Sequence, residues 1–475
     1  MPSDPRRIAF KVLVRLEVKK VPLDQTLQDL GSLFDSLSER DRALSNGIIF
    51  GTLRQKASID WIIRAFSNKP VEKIDPGLRV LIRIALFQII HMDRIPVSAA
   101  VNTAVSIAGS EKGKGAAGFV NAVLRKAAKG HSNVLLPDPA KEPLLYTAVD
   151  KSMPMWLIKR WMARFGKDRC IPLLDIINTV PPITVRTNTL KTDRENLAAQ
   201  ILQSAENVET TRFAEQGISF TGPKVPLHKT DAFQNGFFQV QDEAAQITTS
   251  LLGPRPFDRI LDVCAGLGGK TGHAAQLMDN RGEILATDVN QNRIASLEDE
   301  MNRLGVDIAE PLVADVLKGD LDPMAGSFDK VLVDAPCTGL GVLRRNPDAK
   351  WNKSAKDIKR NAEKQQRILL KSADLVKPSG CILFAVCSTE PEENEDVITR
   401  FLQKRRDFSV VPCRQEDFPD REAGLLFTDK GFFKSYPFAP FMDGFFAAKL
   451  EKTTGTVHAH ENHSLTYKPL SGEQV

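Results

Sequence analysis

Two long apolar runs that each break at a cysteine constrain this chain most: Lys330–Gly341 reads KVLVDAPCTGLG and Cys381–Asn394 reads CILFAVCSTEPEEN. Runs of Val, Leu, Ile and Phe ending in turn residues are the pattern of fully buried strands. Open α/β sheets place their chemistry at the C-terminal ends of such strands, where Cys337 and Cys387 stand. Between Phe257 and Leu450 the strand-like runs RILDVCAG, EILATDV, EPLVAD, KVLVDAP and CILFAVC alternate with amphipathic helical segments such as NRIASLEDEMNRL and KDIKRNAEKQQRILLKSADLV. That alternation predicts a parallel sheet. GFFKSYPF and GFFAAKL follow without an intervening helix and are expected to pair antiparallel and close the sheet.

At 475 residues the chain exceeds what one hydrophobic core usually serves. Residues 1–135 carry helical periodicity almost throughout, in RIAFKVLVRL, SERDRALSNGIIFGTLRQ, GLRVLIRIALFQIIHM and AGFVNAVLRKAA, and are expected to form a helical bundle. Ser38 with Asp41, and Ser98 after Pro96, mark expected helix starts. Residues 136–250 read as a linker followed by a small α+β module, with strands in PITVRTNTL, GISFTG and FFQVQ; the linker extends over the proline-rich stretch 131–155. Residues 251–451 hold the alternating pattern, and the polar residues 452–475 are expected to be a disordered tail.

Charge is unevenly spread. Residues 1–135 hold 21 Lys and Arg against 12 Asp and Glu, a net of +9 on a chain whose total is +5. A solvated helical surface explains this as well as a phosphate-attracting face does. No run of eighteen apolar residues and no signal-peptide pattern occurs, so a cytoplasmic protein without a membrane partner is expected, and a monomer. The six cysteines, at 170, 264, 337, 381, 387 and 413, form no CxxC pair, which argues against a disulfide framework or a zinc site. His458, His460 and His463 lie in the polar tail; no metal is expected.

The loop Cys264-Ala265-Gly266-Leu267-Gly268-Gly269-Lys270-Thr271 satisfies neither nucleotide motif. A Walker loop needs glycine at 264, and a dinucleotide fingerprint starting at Gly266 needs glycine at 271. What remains is a tight strand-to-helix turn that lets a ligand approach the backbone. Asp288, ending the second strand, is placed for ribose hydroxyls, Asp315, ending the third, for an adenine amino group, and Asp334, ending the fourth, for an ammonium or sulfonium neighbour. Any one of these could be a turn residue. Together they suit a ligand with no phosphate to bind, S-adenosylmethionine. A thiol is well suited to adding to an electron-poor ring carbon, so Cys337 and Cys387 are candidate nucleophiles, with burial as the plain alternative for each.

DVCAGLGGKT, ATDVNQNR, DAPCTGLGVLRRNPDAKW, CSTEPEENE and the closing MDGFFAAKL resemble the Sun-type RNA cytosine-5 methyltransferases. SERDRALSNGIIFGTLRQKASIDWII and VNTAVSIAGSEKGKGAAGFVNAVLR are similar to the NusB-like RNA-binding bundle of the bacterial small-subunit rRNA members, and VRTNTLK and FFQVQDEAA resemble the module that links the two. The resemblance implies a Rossmann-like S-adenosylmethionine-dependent methyltransferase domain of α/β class, its mostly parallel sheet closed by an antiparallel strand, behind an all-α NusB-like bundle and a small α+β RNA-binding module. It implies Cys387 as nucleophile, Cys337 as the group that helps release product, and Asp334 beside the cytosine edge. Cys264, Ala265, Gly266, Leu267, Gly268, Gly269, Lys270, Asp288, Asp315 and Asp334 would hold S-adenosylmethionine. The implied partner is small-subunit ribosomal RNA and the implied target cytosine 967 of 16S rRNA.

Two positions depart from the family pattern: Gly266-Leu267 replaces Ala-Pro in the loop, and Val386 stands where a Thr usually precedes the nucleophile. A DNA-type order would instead make Cys337 the nucleophile. Arg344, Arg345 and Lys350 are expected either to hold flanking phosphates or to be surface charge. Other readings are the same chemistry on tRNA, and a non-catalytic RNA assembly factor, which would have no reason to keep both cysteines and all three strand-end acids.

Overall fold

The computed structural model describes residues 4–413, 424, 426–438 and 442–453. Its N-terminal third is all helix: Pro5–Lys19, Glu39–Arg54, Lys56–Phe66, Pro76–His91, Val97–Lys112 and Lys114–Gly130 are the long elements. Pro76–His91 is the central one, burying an unbroken stretch from Val80 to Gln88 against its neighbours. The starts are chemically specified. Asp4 and Asp75 accept hydrogen bonds from the first-turn amides with a proline in the first position, and the Ser38 hydroxyl accepts from Asp41 N at 3.1 Å. Ser98 does not cap: its helix begins at Val97 directly after Pro96, whose fixed φ already commits the chain to turn there.

The stretch expected as a linker is partly structured. Pro143–Asp150 is a helix, and Ala148, Val149, Ser152 and Met153 are buried. Two of its prolines, Pro143 and Pro154, occupy helix starts, where a missing N–H costs nothing. The next helix, Met155–Ile177, bends at Gly166 and shares a core with Leu340, Leu343, Ala349 and Ile358. It thus backs the segment that follows Cys337.

Four antiparallel strands form the small sheet: β1 Ile183–Thr187, β2 Glu206–Thr210, β3 Gly217–Thr221 and β4 Phe238–Val240, in the order β2-β3-β1-β4. Sequence patterning misses β2 because ENVET is an edge strand with almost no buried side chain.

The large sheet contains β5 Arg259–Asp262, β6 Glu283–Asp288, β7 Ala309–Val313, β8 Phe328–Asp334, β9 Val376–Val386, β10 Phe408–Val411, β11 Phe433–Lys434 and β12 Phe446–Lys452. Its order is β10-β12-β9-β8-β5-β6-β7, with β11 paired to β12. β5 to β9 run parallel; β12 lies antiparallel on β9, and β10 antiparallel on β12. From β5 the chain winds outward to β7, returns to place β8 on the other side of β5, and continues to β9. The β5/β8 junction is therefore a topological switch point, and a crevice opens at the strand ends there. At the C-terminus Lys452 still belongs to β12 and the Thr453 amide donates to Asp407 O at 2.8 Å, so the tail begins later than expected. The remainder of that tail, with His458, His460 and His463, lies outside the described residues.

Candidate active site

Because β5 to β9 end side by side, the residues at and after their ends surround one space. It is a cavity of about 710 Å³, lined by Cys264, Ala265, Gly266, Leu267, Gly269, Lys270, Asp288, Asp315, Asp334, Cys337 and Cys387. The structure thus brings together eleven of the twelve residues singled out from sequence. The twelfth, Gly268, does not line it. With φ of +81°, it closes the turn where an added Cβ would meet Leu297 and Met301 at 2.9 and 2.8 Å. Gly266 is the loop's other left-handed residue (φ +59°), and no atom of the described residues stands within 4 Å of where its Cβ would be, so the cavity passes over its backbone.

The acids differ in their surroundings. Asp288 is 6 % exposed and its Oδ1 accepts from Asn290 N at 2.8 Å. Asp315 accepts from Leu317 N at 2.9 Å. Asp334 Oδ2 accepts from Lys270 Nζ at 2.6 Å, and this pairing, with Cys387 and Asp262 also near, outweighs burial and raises the Lys270 pKa. Asp262, unremarked in the sequence because it ends an apolar run, is 1 % exposed and also lines the cavity. Burial lifts its pKa to about 7 against the pull of the Thr271 hydroxyl on Oδ2, and its Oδ1 has no hydrogen-bond partner among the described residues. A buried carboxyl oxygen without a donor, on a residue that lines a cavity, is where a ligand's ammonium or hydroxyl would be satisfied.

The two thiols touch: Cys337 Sγ lies 3.3 Å from Cys387 Sγ. The hydrogen bond with Cys387, and then burial, push the Cys337 pKa well above the usual thiol range.

Glu393 holds the two cysteine loops together. Fully buried, it accepts from Thr338 N at 2.8 Å, from the Thr338 hydroxyl and from the Ser388 hydroxyl. Thr338 follows Cys337 and Ser388 follows Cys387, so one carboxylate fixes both turns. Gly341 adds a second junction. Its amide donates to Cys387 O at 3.1 Å and its carbonyl accepts from Gly444 N at 2.9 Å, an approach so close that a Cβ on Gly341 would fall 1.9 Å from Gly444 O. Within the Cys387 loop, Glu390 accepts from Trp161 Nε1 at 2.9 Å and pairs with Arg160 of the helix behind. Glu393 sits in the quoted EEN triplet; its meaning lay in a fold-dependent contact that no spacing announces.

Arg344, Arg345 and Lys350 serve neither of the roles expected of them. Arg344 is 1 % exposed and pairs with buried Asp443, which Arg345 also engages together with Asp242. Lys350 is fully buried, donating to Arg54 O, Ser152 O and Asn178 Oδ1, and burial with nearby Arg54 pulls its pKa down to about 7. Trp351 Nε1 donates to Leu53 O at 2.7 Å and its ring packs on the bundle core, while Asp348 accepts from Leu23 N. The segment after Cys337 is therefore the seat of the helical bundle, whose Pro22 and Asp24 reach the cavity wall. A second long-range brace comes from the small module. Buried Arg186 of β1 donates to Gly269 O at 3.0 Å, and to Gln239, Gln241 and Gln276.

Among the described residues, no cluster of three or more His, Cys, Asp or Glu could hold a metal ion, and no helix is long and apolar enough to cross a membrane.

Residues 249–451 match the family model described as 16S rRNA methyltransferase RsmB/F, residues 3–129 the NusB family, and residues 153–228 the RsmF/B-like ferredoxin-like domain. The chain is 33 % identical over 447 residues to the probable ribosomal RNA small subunit methyltransferase B of Bacillus subtilis strain 168, covering 94 % of this chain and 98 % of that one. It is 30 % identical over 422 residues to the ribosomal RNA small subunit methyltransferase B of Pseudomonas putida, covering 89 % and 93 %. Among solved structures, that of PH0851 superposes with a TM-score of 0.81 at 27 % identity, covering 95 % of this chain and 99 % of that one.

Proposed function

The chain belongs to the RsmB/F (Sun-type) family of rRNA cytosine-5 methyltransferases with a NusB-like N-terminal domain, and on that premise we propose that it methylates carbon 5 of cytosine 967 in 16S rRNA through a covalent Cys387–cytosine adduct. The observation that carries the reading is the pair of thiols in contact on the wall of the cavity that Asp288, Asp315, Asp334 and the glycine loop also line. That cavity's chemistry fits S-adenosylmethionine, which supplies the methyl group as a sulfonium. Strand-end carboxylates suit its hydroxyls and amine, the loop's open backbone suits close approach, and Asp262, one of whose buried oxygens has no hydrogen-bond donor among the described residues, lines the same cavity.

Carbon 5 of cytosine is too weak a nucleophile to take a methyl group unaided. Cys387 gives up its proton and adds to carbon 6, forming a C–S bond and moving electron density to carbon 5. Lys270 and Asp334 stand beside Cys387 as a hydrogen-bonded pair able to hold the cytosine's N3 and N4 edge and support the developing charge. With S-adenosylmethionine bound, carbon 5 would take the methyl group as the donor's S–CH3 bond breaks and S-adenosylhomocysteine is left; the carbon 5 proton then passes to a base, the Cys387–carbon 6 bond breaks, and Cys387 leaves. Cys337, a thiol in contact with Cys387, is placed to assist that departure, the role the family resemblance implies for it. The target base must leave its stack to reach this depth, as base-modifying enzymes require. Thiol chemistry of this kind needs no metal, and the reading takes the enzyme to be a cytoplasmic monomer.

The test is transfer of labelled methyl from S-adenosylmethionine to unmodified 16S rRNA and to tRNA, with the site mapped. Label confined to cytosine 967 is expected; label on tRNA alone would keep the chemistry and discard the substrate.

A further inference from the structure

The phosphate-holding role that Arg344, Arg345 and Lys350 cannot fill has another bearer. The helix Ala355–Leu375 buries Ile358, Ala362, Gln365, Gln366, Ile368 and Leu369 against the catalytic domain. Its opposite face carries Lys356, Arg360, Lys364, Arg367 and Lys371, all exposed and spaced four, four, three and four residues apart, hence one stripe along the helix. Like charges at this spacing repel and weaken the helix, and the two acids on this face offset them only in part, since Asp374 pairs with Arg405 and Glu363 stands against five cations. Among the described residues, Lys356, Lys364 and Arg367 have no ion-pair partner within 4 Å; Arg360 shares one with Asp357, which already caps the helix, and Lys371 stands 3.6 Å from exposed Asp322. At about 1.5 Å per residue the stripe spans ~22 Å, room for about six nucleotides of a stacked strand rising ~3.4 Å each. It also crosses the right place: Lys364, together with Lys353 just before the helix, lines the mouth of the cavity that contains Cys337 and Cys387.

We propose that this basic stripe is the track for the RNA strand on both sides of the target cytosine, its cations binding successive phosphates while the base between them enters the cavity at the level of Lys364. The inference rests on the RNA cytosine-5 methyltransferase reading and assigns a surface to it. Phosphate contacts carry no sequence information but fix register, so the stripe sets how the strand is presented, and recognition of the particular hairpin falls to other surfaces.

The test is a quadruple variant, Lys356→Gln, Arg360→Gln, Arg367→Gln and Lys371→Gln, which spares the cavity-lining Lys364. Binding of a small-subunit rRNA hairpin is measured across a salt series, beside binding of S-adenosylmethionine and thermal melting. Each lost phosphate contact should flatten the slope of log K against log salt by about 0.7, so a decrease of roughly 2–3 is expected together with a raised KM for RNA, while S-adenosylmethionine affinity and melting stay at wild-type values. Wild-type slope and KM in the variant would overturn the track. If wild-type enzyme itself transfers no methyl to the rRNA, the underlying reading fails instead, and the two failures are told apart by that control. Altered melting would call for the single variants Lys356→Gln and Arg367→Gln, each expected to flatten the slope by about 0.7 with melting unchanged.

Discussion

Replacing Glu393 tests whether the contact between the thiols is imposed by its carboxylate. In Glu393→Ala the Thr338 amide loses its acceptor inside a buried site, which costs ~1–3 kcal/mol. The Thr338 and Ser388 hydroxyls lose theirs too, though rotation lets them recover part, so about 3 kcal/mol of destabilisation is expected in all. That is small enough to leave most of the protein folded at 25 °C. The catalytic loss should be larger than the folding loss implies. A reacting group displaced by about 1 Å can cost on the order of 10²-fold in rate, and both loops are freed at once. Glu393→Gln keeps an oxygen for the Thr338 amide and offers N–H groups that either hydroxyl can accept, so it should stay within about tenfold of wild type, with the remaining penalty in the polarity of the bonds. Single-turnover methyl transfer, run beside circular dichroism melting, separates the two effects. Wild-type single-turnover rates in folded Glu393→Ala would refute the clamp, as would equal losses in the Ala and Gln variants.

Three further outcomes follow from the packing and charge. Gly341→Ala, whose Cβ would press on Gly444 O and Cys387 O, should cost ~1–3 kcal/mol and most activity, whereas Gly118→Ala in an open helical position should leave stability equal or ~0.5–1 kcal/mol higher, both read by urea denaturation. Lys350→Met leaves Arg54 O, Ser152 O and Asn178 Oδ1 without their shared donor; melting should fall and proteolysis between the bundle and the catalytic domain should quicken. Glu17 is held at about pKa 2, because Arg83, Lys56 and Arg79 outweigh the opposing effect of burial. A depressed carboxyl contributes stability above its unfolded value near 4.5 and loses it as pH falls toward 2, so acid unfolding should lose ~2–3 kcal/mol over that window, a component absent in Glu17→Gln.

The parallel strands and the cavity residues were legible because they are local: β8 and β9 announce themselves as apolar runs, and Asp288, Asp315, Asp334 and both cysteines stand at their ends. What joins those ends was not legible. Glu393, Arg186 and Gly341 act on residues that are distant in the chain or meet only through the sheet order. β2 and β10 are short edge strands with little burial to pattern them. Arg344, Arg345 and Lys350 misled because a basic cluster in a loop reads as surface charge until Asp443 and the bundle carbonyls are seen to surround it. The prolines of residues 131–155 misled for a related reason, since proline marks helix starts as well as linkers.

The central claim is that Cys387 attacks and Cys337 releases. Wild type, Cys387→Ala and Cys337→Ala are incubated with labelled S-adenosylmethionine and unmodified small-subunit rRNA, and both methyl transfer and a protein–RNA adduct that survives denaturation are scored. The account expects neither transfer nor adduct from Cys387→Ala, and a trapped, methyl-bearing adduct from Cys337→Ala. An adduct trapped in Cys387→Ala, with none in Cys337→Ala, would contradict it and exchange the two roles.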